Sequence, residues 1–266
     1  MIRAKEHSWE RKTVMSRNHK IYIATISEKC EEMAEKYGLG LECDTFCTAI
    51  NLEDKDAIWQ AVGQMAKAQR RVLHAPFNEL CPAAIDPEVV KITRMRYEQA
   101  WTMAQKLGID RVVVHSGYVP LIYFPQWFVE KSVAFWKDFL RDKPETAEFL
   151  LENVLEGAPE MTASIVEAVN DPRLRLCLDI GHANSEVSDI PVETWVRRWA
   201  PCLGHVHIHN NWGGWDLHNG LEDGTIPMEE TLRLLDELAP KATWTLESLE
   251  AEPSCRWLAQ QGWIEE

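Results

Sequence analysis

Seven short apolar runs in this chain each end on an acid or an imidazole. GLGLE closes on Glu42, RVLH on His74, VVVH on His115, FLLE on Glu152, LCLD on Asp179, GHVH on His207 and TWTLE on Glu247. Three more such residues lie off the runs: His182, three residues past Asp179 in DIGH, and Asp216 and His218 in DLH. His, Asp and Glu are the side chains that hold borderline and hard divalent cations. A polar residue at the carboxyl end of a buried strand points out of the core, and such ends from one parallel sheet converge on a single pocket. A lone strand-end His or Glu is ordinarily a hydrogen-bonded structural residue or an ion-pair partner; a series of seven is not accounted for that way. The chemistry they point to is metal-assisted. An imidazole binds one ion, whereas a carboxylate such as Glu152 can bridge two. The nine donors His74, His115, Glu152, Asp179, His182, His207, Asp216, His218 and Glu247 therefore suffice for one to three ions.

The runs must be held by elements that bring their ends together. Strand-like segments alternate with helical ones, starting with IYIATI (21–26) and a helix over Glu28–Tyr37 stopped by Gly38. Further helices are predicted near Asp54–Gln69, Pro87–Leu107, Gln126–Arg141, Pro159–Val169, Val192–Ala200, Met228–Leu238 and Ser254–Gln261. Asp86 followed by Pro87 is a helix-start signal and Gly108 a stop. Val89, Ile92, Ala100, Met103, Ala104 and Leu107 fall at helical spacing and are expected to face the sheet, as are Leu232, Leu235 and Leu238. The strands are continuously apolar, as when both faces are covered. Eight βα units without an interrupting domain predict an α/β protein, a single (β/α)8 TIM barrel over residues 21–266 with its site at the C-terminal rim of the strands. The stretch from His209 to Ile226 is too long for a bare connector and is expected to be functional.

Composition bounds the function classes. The chain has 266 residues, 45% of them hydrophobic and 26% charged, with a net charge of −14. That acidic balance argues against nucleic acid, whose binding leaves a basic footprint. Residues 1–20 carry six Lys or Arg and are read as an N-terminal arm. Seven cysteines with no CxxC pair suggest reduced thiols. The absence of a long apolar stretch or signal-like N-terminus predicts a cytoplasmic protein without a membrane partner. A homo-oligomer is compatible with the sequence.

The motifs HAPF (74–77), VVVHSG (112–117), LLENV (150–154), LCLDIGHAN (176–184), HVHIHNN (205–211), DLH…GLEDGTI (216–226) and TLES (245–248) resemble the xylose isomerase-like TIM barrel superfamily. That grouping includes sugar-phosphate isomerases and epimerases and also the family 2 apurinic endonucleases, typified by endonuclease IV. The similarity runs in order from about residue 21 to residue 250. In the epimerase branch it implies Glu152, Asp179, His207 and Glu247 as ligands of one metal. Glu152 and Glu247 would also be the catalytic acid–base pair, with His182 holding a substrate oxygen. In the endonuclease branch it implies three zinc ions: His74, His115 and Glu152 on the first, Glu152, Asp179, His207 and Glu247 on the second, and His182, Asp216 and His218 on the third.

Departures bear on both branches. The epimerase branch usually carries an arginine after the seventh strand, whereas NNWGGWDLH has none. The Lys-assisted second site of true xylose isomerases has no counterpart. The loop CDTFCTAINLEDKD after Glu42 is acidic, and its single Phe and single Lys are too little of the basic and aromatic surface used to grip bent DNA. The expectation is an isomerase or epimerase of a small polyhydroxylated or phosphorylated substrate, dependent on Zn2+ or Mn2+. A zinc phosphoester hydrolase and a non-catalytic sugar- or metal-binding barrel are the alternatives. Glu42 is expected to bind substrate or pair with a cation. Trp212 and Trp215 are expected to stack on a sugar face or pack the loop onto the rim.

Overall fold

The computed structural model describes residues 17–266. The chain runs β1 (Ile21–Ala24), α1 (Cys30–Tyr37), β2 (Gly40–Cys43), α2 (Lys55–Lys67), β3 (Arg71–His74), α3 (Pro87–Lys106), β4 (Arg111–His115) and α4 (Pro125–Phe139). It continues through β5 (Glu148–Glu152), α5 (Glu160–Val169), β6 (Leu174–Asp179), α6 (Ile180–Ala183), α7 (Val192–Trp199), β7 (Leu203–Ile208), α8 (Met228–Leu238), β8 (Thr243–Leu246) and α9 (Ala251–Gln260). The eight strands pair in chain order, all parallel, and β8 closes on β1. This is the single (β/α)8 barrel expected from the alternation. Of the predicted arm, residues 1–16 lie outside the described residues. Arg17 is bound to the barrel by hydrogen bonds to Asp236 (3.0 and 2.7 Å) and to the Trp263 carbonyl (2.7 Å).

Alternation along the strands sorts the core into two parts. Ile21, Ile23, Leu41, Leu73, Val112, Val114, Leu151, Leu176, Leu178, Val206, Trp244 and Leu246 pack outward against the helices. Tyr22, Val72, Val113, Leu150 and Cys177 form a separate apolar plug inside the barrel. His74, His115, Glu152 and Asp179 lie two residues further along the same strands, so they share the inner face and stand above the plug. Local signals behave as read. Asp86 caps α3 by accepting from the Glu88 amide (2.8 Å), and Gly38 ends α1 at φ 61°. One helix phase differs from the expectation. Ile92 is 50% exposed, because the inner stripe of α3 runs through Thr93, Tyr97, Ala100 and Ala104, and Ile92 precedes it by one residue, about 100° round the helix. No helix among the described residues is long and apolar enough to cross a membrane.

The opposite end of the barrel is closed by a charge cluster. Arg111 donates to Glu148 (2.5 Å), Thr243 (2.7 Å) and the Gly204 carbonyl (3.1 Å), tying β4, β5, β7 and β8 together below the plug. Substituting Arg111→Ala strips Glu148 of its main partner, leaving among the described residues Arg175 at 3.8 Å. Urea denaturation should show a loss of about 1–3 kcal/mol, between the scales for exposed and buried pairs, since the Arg111–Glu148 pair is part-buried.

Candidate metal centre

The upper end of the barrel interior gathers all nine predicted donors. Strand register sets the first contacts: His115 lies beside Glu152, and Asp179 beside His207. Glu152 Oε2 is 3.1 Å from His74 Nε2 and 3.3 Å from His115 Nε2, while Oε1 is 3.2 Å from His207 Nδ1. His207 Nδ1 also faces Glu247 Oε2 at 3.2 Å and Asp179 Oδ2 at 3.6 Å. Asp216 Oδ2 joins the rest by contacts to His182 Nε2 (3.2 Å) and His218 Nε2 (2.8 Å).

The short sequence motifs explain how these side chains are aimed. In LLEN, Asn153 exchanges two hydrogen bonds of 2.9 Å with the Asp179 backbone, locking the ends of β5 and β6 together. In DIGH, Asp179 Oδ1 accepts the His182 amide (2.7 Å), which turns the chain into α6 and brings His182 back over the barrel. Three imidazoles have Nδ1 on a backbone carbonyl: His74 on Ala75 (2.9 Å), His182 on Asn153 (2.8 Å) and His218 on Glu247 (2.9 Å). Each therefore presents Nε2 to the carboxylates, the usual way a second partner orients a metal-binding histidine. His218 holds its place from a left-handed backbone (φ 49°), a conformation that costs a non-glycine residue energy and clusters at functional sites.

The long loop after β7 places Asp216 and His218 over the strand ends. It is braced by a bridge between Asn210 and Asn219 and by Asn210 Nδ2 on the Leu221 and Ile226 carbonyls. Trp212 and Trp215 are 62% and 78% exposed, so their rings are not packed onto the rim. Glu42 is fully buried, one level below the rim, because β2 continues to Cys43 and its inner face carries Glu42 into the barrel.

Three groups escaped the sequence reading. GHVH was read as ending at His207, but β7 continues through Ile208, and His205, His207 and His209 alternate on the inner face. Period-two spacing in HVHIH was the available signal. His209 Nε2 lies 3.0 and 3.1 Å from the two Asp179 oxygens, and its ring stacks on His218 at 4.2 Å. Gly181 makes room for it: a Cβ there would sit 1.9 Å from His209 Cε1. The third is Asp44, two residues beyond Glu42. Its Oδ2 accepts from Thr25 and the Ile26 amide, and Oδ1 is buried without a partner. Burial, then the charges of Glu42 and Glu247, push its carboxyl up to about 7.

The electrostatics suit a cation. No Lys or Arg among the described residues forms an ion pair with Glu42, Glu152, Asp179, Asp216 or Glu247; every such partner is an imidazole. Burial opposes the charge on Glu152, yet His207 and His115 outweigh it and hold the carboxyl well below its usual range. Burial likewise opposes charge on His207 and His182, but the surrounding acidic groups raise both well above the ordinary imidazole value. His218 is pushed up to about 9: burial lowers it, and Asp216 and Glu247 more than compensate. His209 Nδ1 and Asp216 Oδ1 are buried, have no hydrogen-bond partner, and face each other at 3.7 Å. Four overlapping triads at this rim place their donor atoms within 4.8 Å of one another: His74–His115–Glu152, Glu152–Asp179–His182, Asp179–His207–Glu247 and His209–His218–Glu247. The donor set, the orphaned atoms and the negative charge fit one or more divalent ions, and mixed imidazole–carboxylate ligation suits zinc or manganese.

A parallel (β/α)8 barrel with a ring of inward acids and imidazoles at its C-terminal rim defines a class. The chain belongs to the xylose isomerase-like TIM barrel family, whose model matches residues 22–266. An uncharacterized protein of Methanocaldococcus jannaschii is 31% identical over 190 residues, 66% of this chain and 64% of that protein. The matched region thus spans a little under two thirds of that relative's length. A D-tagatose 3-epimerase-like protein superposes with a TM-score of 0.75 at 23% identity, covering 91% of this chain and 96% of that one. A protein from Thermus thermophilus, solved after soaking with zinc chloride, gives a TM-score of 0.73 at 25% identity, over 91% and 97% of the two chains.

Two outcomes are expected at this site. Because the neighbouring carboxylates raise the imidazoles of His182, His207 and His218, the last to about 9, a cation must displace their protons, so Zn2+ binding should release protons and weaken as the pH falls below about 9. Calorimetry in two buffers of different ionisation enthalpy reads the proton count, and binding without proton release would contradict the arrangement. Gly181→Ala should drive His209 off Asp179 and lower metal affinity by about 10–100-fold, the scale for disturbing a site's supporting contacts, as read by chelator competition.

Proposed function

We propose that the protein is a divalent-metal-dependent isomerase or epimerase that acts on a small sugar or sugar phosphate by glutamate-mediated proton transfer. The observation that carries this reading is the pairing of Glu152 and Glu247 about His207. Each carboxylate is 3.2 Å from His207 Nδ1, one from the end of β5 and the other from just past β8. Two ionisable carboxylates converging on one point can act on one carbon, the first removing a proton beside a carbonyl and the second returning one. A divalent ion held by Glu152, Asp179, His207 and Glu247 would polarise the substrate carbonyl and the neighbouring hydroxyl.

The remaining side chains take supporting parts. His182, anchored through Nδ1, offers Nε2 to a substrate oxygen. Trp212 and Trp215 offer exposed ring faces against which the apolar side of a sugar can stack. The low electrostatic demand of an uncharged ketose also matches a rim whose carboxylates have no Lys or Arg partner among the described residues. Membership of the family and the fold shared with an epimerase-like protein support the same reading.

A second reading, metal-assisted phosphoester hydrolysis, is favoured by one feature. Glu152 meets imidazoles on both oxygens, and Asp216 spans His182 and His218, a layout suited to more than one ion. Metal counting separates the two, with one tightly held ion per chain expected for proton transfer and three for hydrolysis. Incubation with ketoses in deuterated water should give deuterium incorporation at the carbon beside the carbonyl. Glu247→Gln should reduce that exchange by about 10²–10⁴-fold, and metal removal should abolish it. Nicking of abasic DNA with no exchange into any ketose would establish the hydrolase instead.

A further inference from the structure

His207 differs from the other oriented imidazoles of the site. His74, His182 and His218 rest Nδ1 on backbone carbonyls and turn Nε2 to the carboxylates. His207 is reversed: Nδ1 faces Glu152, Glu247 and Asp179, and Nε2 points down to Glu42 Oε1 at 3.1 Å. Glu42 is fully buried, and its second oxygen, Oε2, accepts from Thr245 (2.5 Å) and lies 3.1 Å from His205 Nε2. His205 is itself held by Thr243 (2.5 Å) and Thr245 (2.8 Å). The inner face below the site is thus divided. Tyr22, Val72, Val113, Leu150 and Cys177 form its apolar part, while β2, β7 and β8 contribute a polar column of Glu42, His205, Thr243 and Thr245. A buried carboxylate is costly to keep unless every oxygen is engaged, and here each is.

We propose that Glu42 is a positioning residue for the metal centre. Its carboxylate accepts the Nε2–H of His207 and fixes that imidazole in the tautomer and orientation that direct Nδ1 to the cation. The inference rests on the reading that a divalent ion is held by Glu152, Asp179, His207 and Glu247. Glu42 reaches no substrate in this scheme, since His207 lies between it and the rim. A carboxylate behind a ligating imidazole also raises the basicity of the ligand nitrogen, so its removal weakens binding as well as loosening the ring. The polar column extends the support: Thr245 and His205 hold Glu42 as Glu42 holds His207.

The test is metal binding rather than turnover. Chelator-stripped protein is titrated with Zn2+ against a chromophoric chelator, and its Co2+ form gives a visible d–d spectrum sensitive to ligand geometry. Glu42→Ala should lower Zn2+ affinity about 10–100-fold and alter the Co2+ spectrum. Glu42→Gln, whose amide oxygen still accepts from Nε2–H, should recover most of the affinity. If the alanine variant does not fold, Glu42→Met fills the space without an acceptor and carries the same comparison. Wild-type affinity and an unchanged spectrum in the folded variant would overturn the proposal. So would the loss of one whole ion per chain in both Glu42→Ala and His205→Ala, because Glu42, His205 and His207 also lie within 4.8 Å of one another and would then be ligands of a deeper ion. Failure of the wild-type protein to bind any divalent ion would instead remove the reading of the site beneath it.

Discussion

Mutual neutralisation of acids and imidazoles at the rim is the constraint on which the rest of the structure depends. Glu152, Asp179 and Glu247 are buried at the mouth of the barrel, and among the described residues no Lys or Arg pairs with them. Taking even one carboxylate out of water costs several kcal/mol unless a charge and hydrogen bonds answer it. Here the answering charge comes from histidines, whose protons are exchangeable for a metal ion. A lysine or arginine in the same place would neutralise the acids permanently and leave no role for a cation. The choice of imidazole is what lets a stable cluster also be a candidate binding site.

Orientation follows from the same chemistry. Imidazoles near several carboxylates could rotate to meet any of them, and the structure removes that freedom by pinning the far nitrogen. Backbone carbonyls of Ala75, Asn153 and Glu247 do this for three of the rings. These anchors depend on strand ends and loop geometry, so site precision is inherited from the barrel itself. The reciprocal bonds between Asn153 and the Asp179 backbone, and the space left by Gly181 for His209, belong to the same system. Rigid elements carrying ligands with fixed tautomers are what a preorganised metal centre requires.

Much of the fold and of the rim was legible in the sequence because two periodicities reinforced each other. Apolar runs of strand length alternating with stretches of helical spacing specify parallel βα units, and an acid or imidazole closing seven of the runs marks the rim. The reading failed where a strand did not end at its first polar residue. On β2 and β7 polar side chains continue along the inner face, so Glu42 lies below the rim, and His205 and His209 bracket His207 at different depths. Ile92 failed for a related reason, since one residue's offset in helix phase moves a side chain from core to solvent. Asp44 left little trace, because its significance lies in an orphaned oxygen visible only with the neighbouring strands in place.

The polar column inside the barrel is the feature that a conventional barrel core does not predict. Barrel interiors are usually filled with branched apolar side chains in layers, and the Tyr22, Val72, Val113, Leu150 and Cys177 plug obeys that rule. Replacing part of the layer with Glu42, His205 and threonine hydroxyls sacrifices apolar packing for hydrogen bonds that merely replace those made to water. Stability alone gives no reason for such an exchange, since a leucine at position 42 would fill the space without a charge to satisfy. A reason appears only when the column is traced upward to His207, a rim imidazole held by a carboxylate where three others are held by backbone carbonyls. On the proposed reading the polar interior and the rim are parts of one device, running from Thr243 at the start of β8 to the nitrogen of His207 that faces three carboxylates.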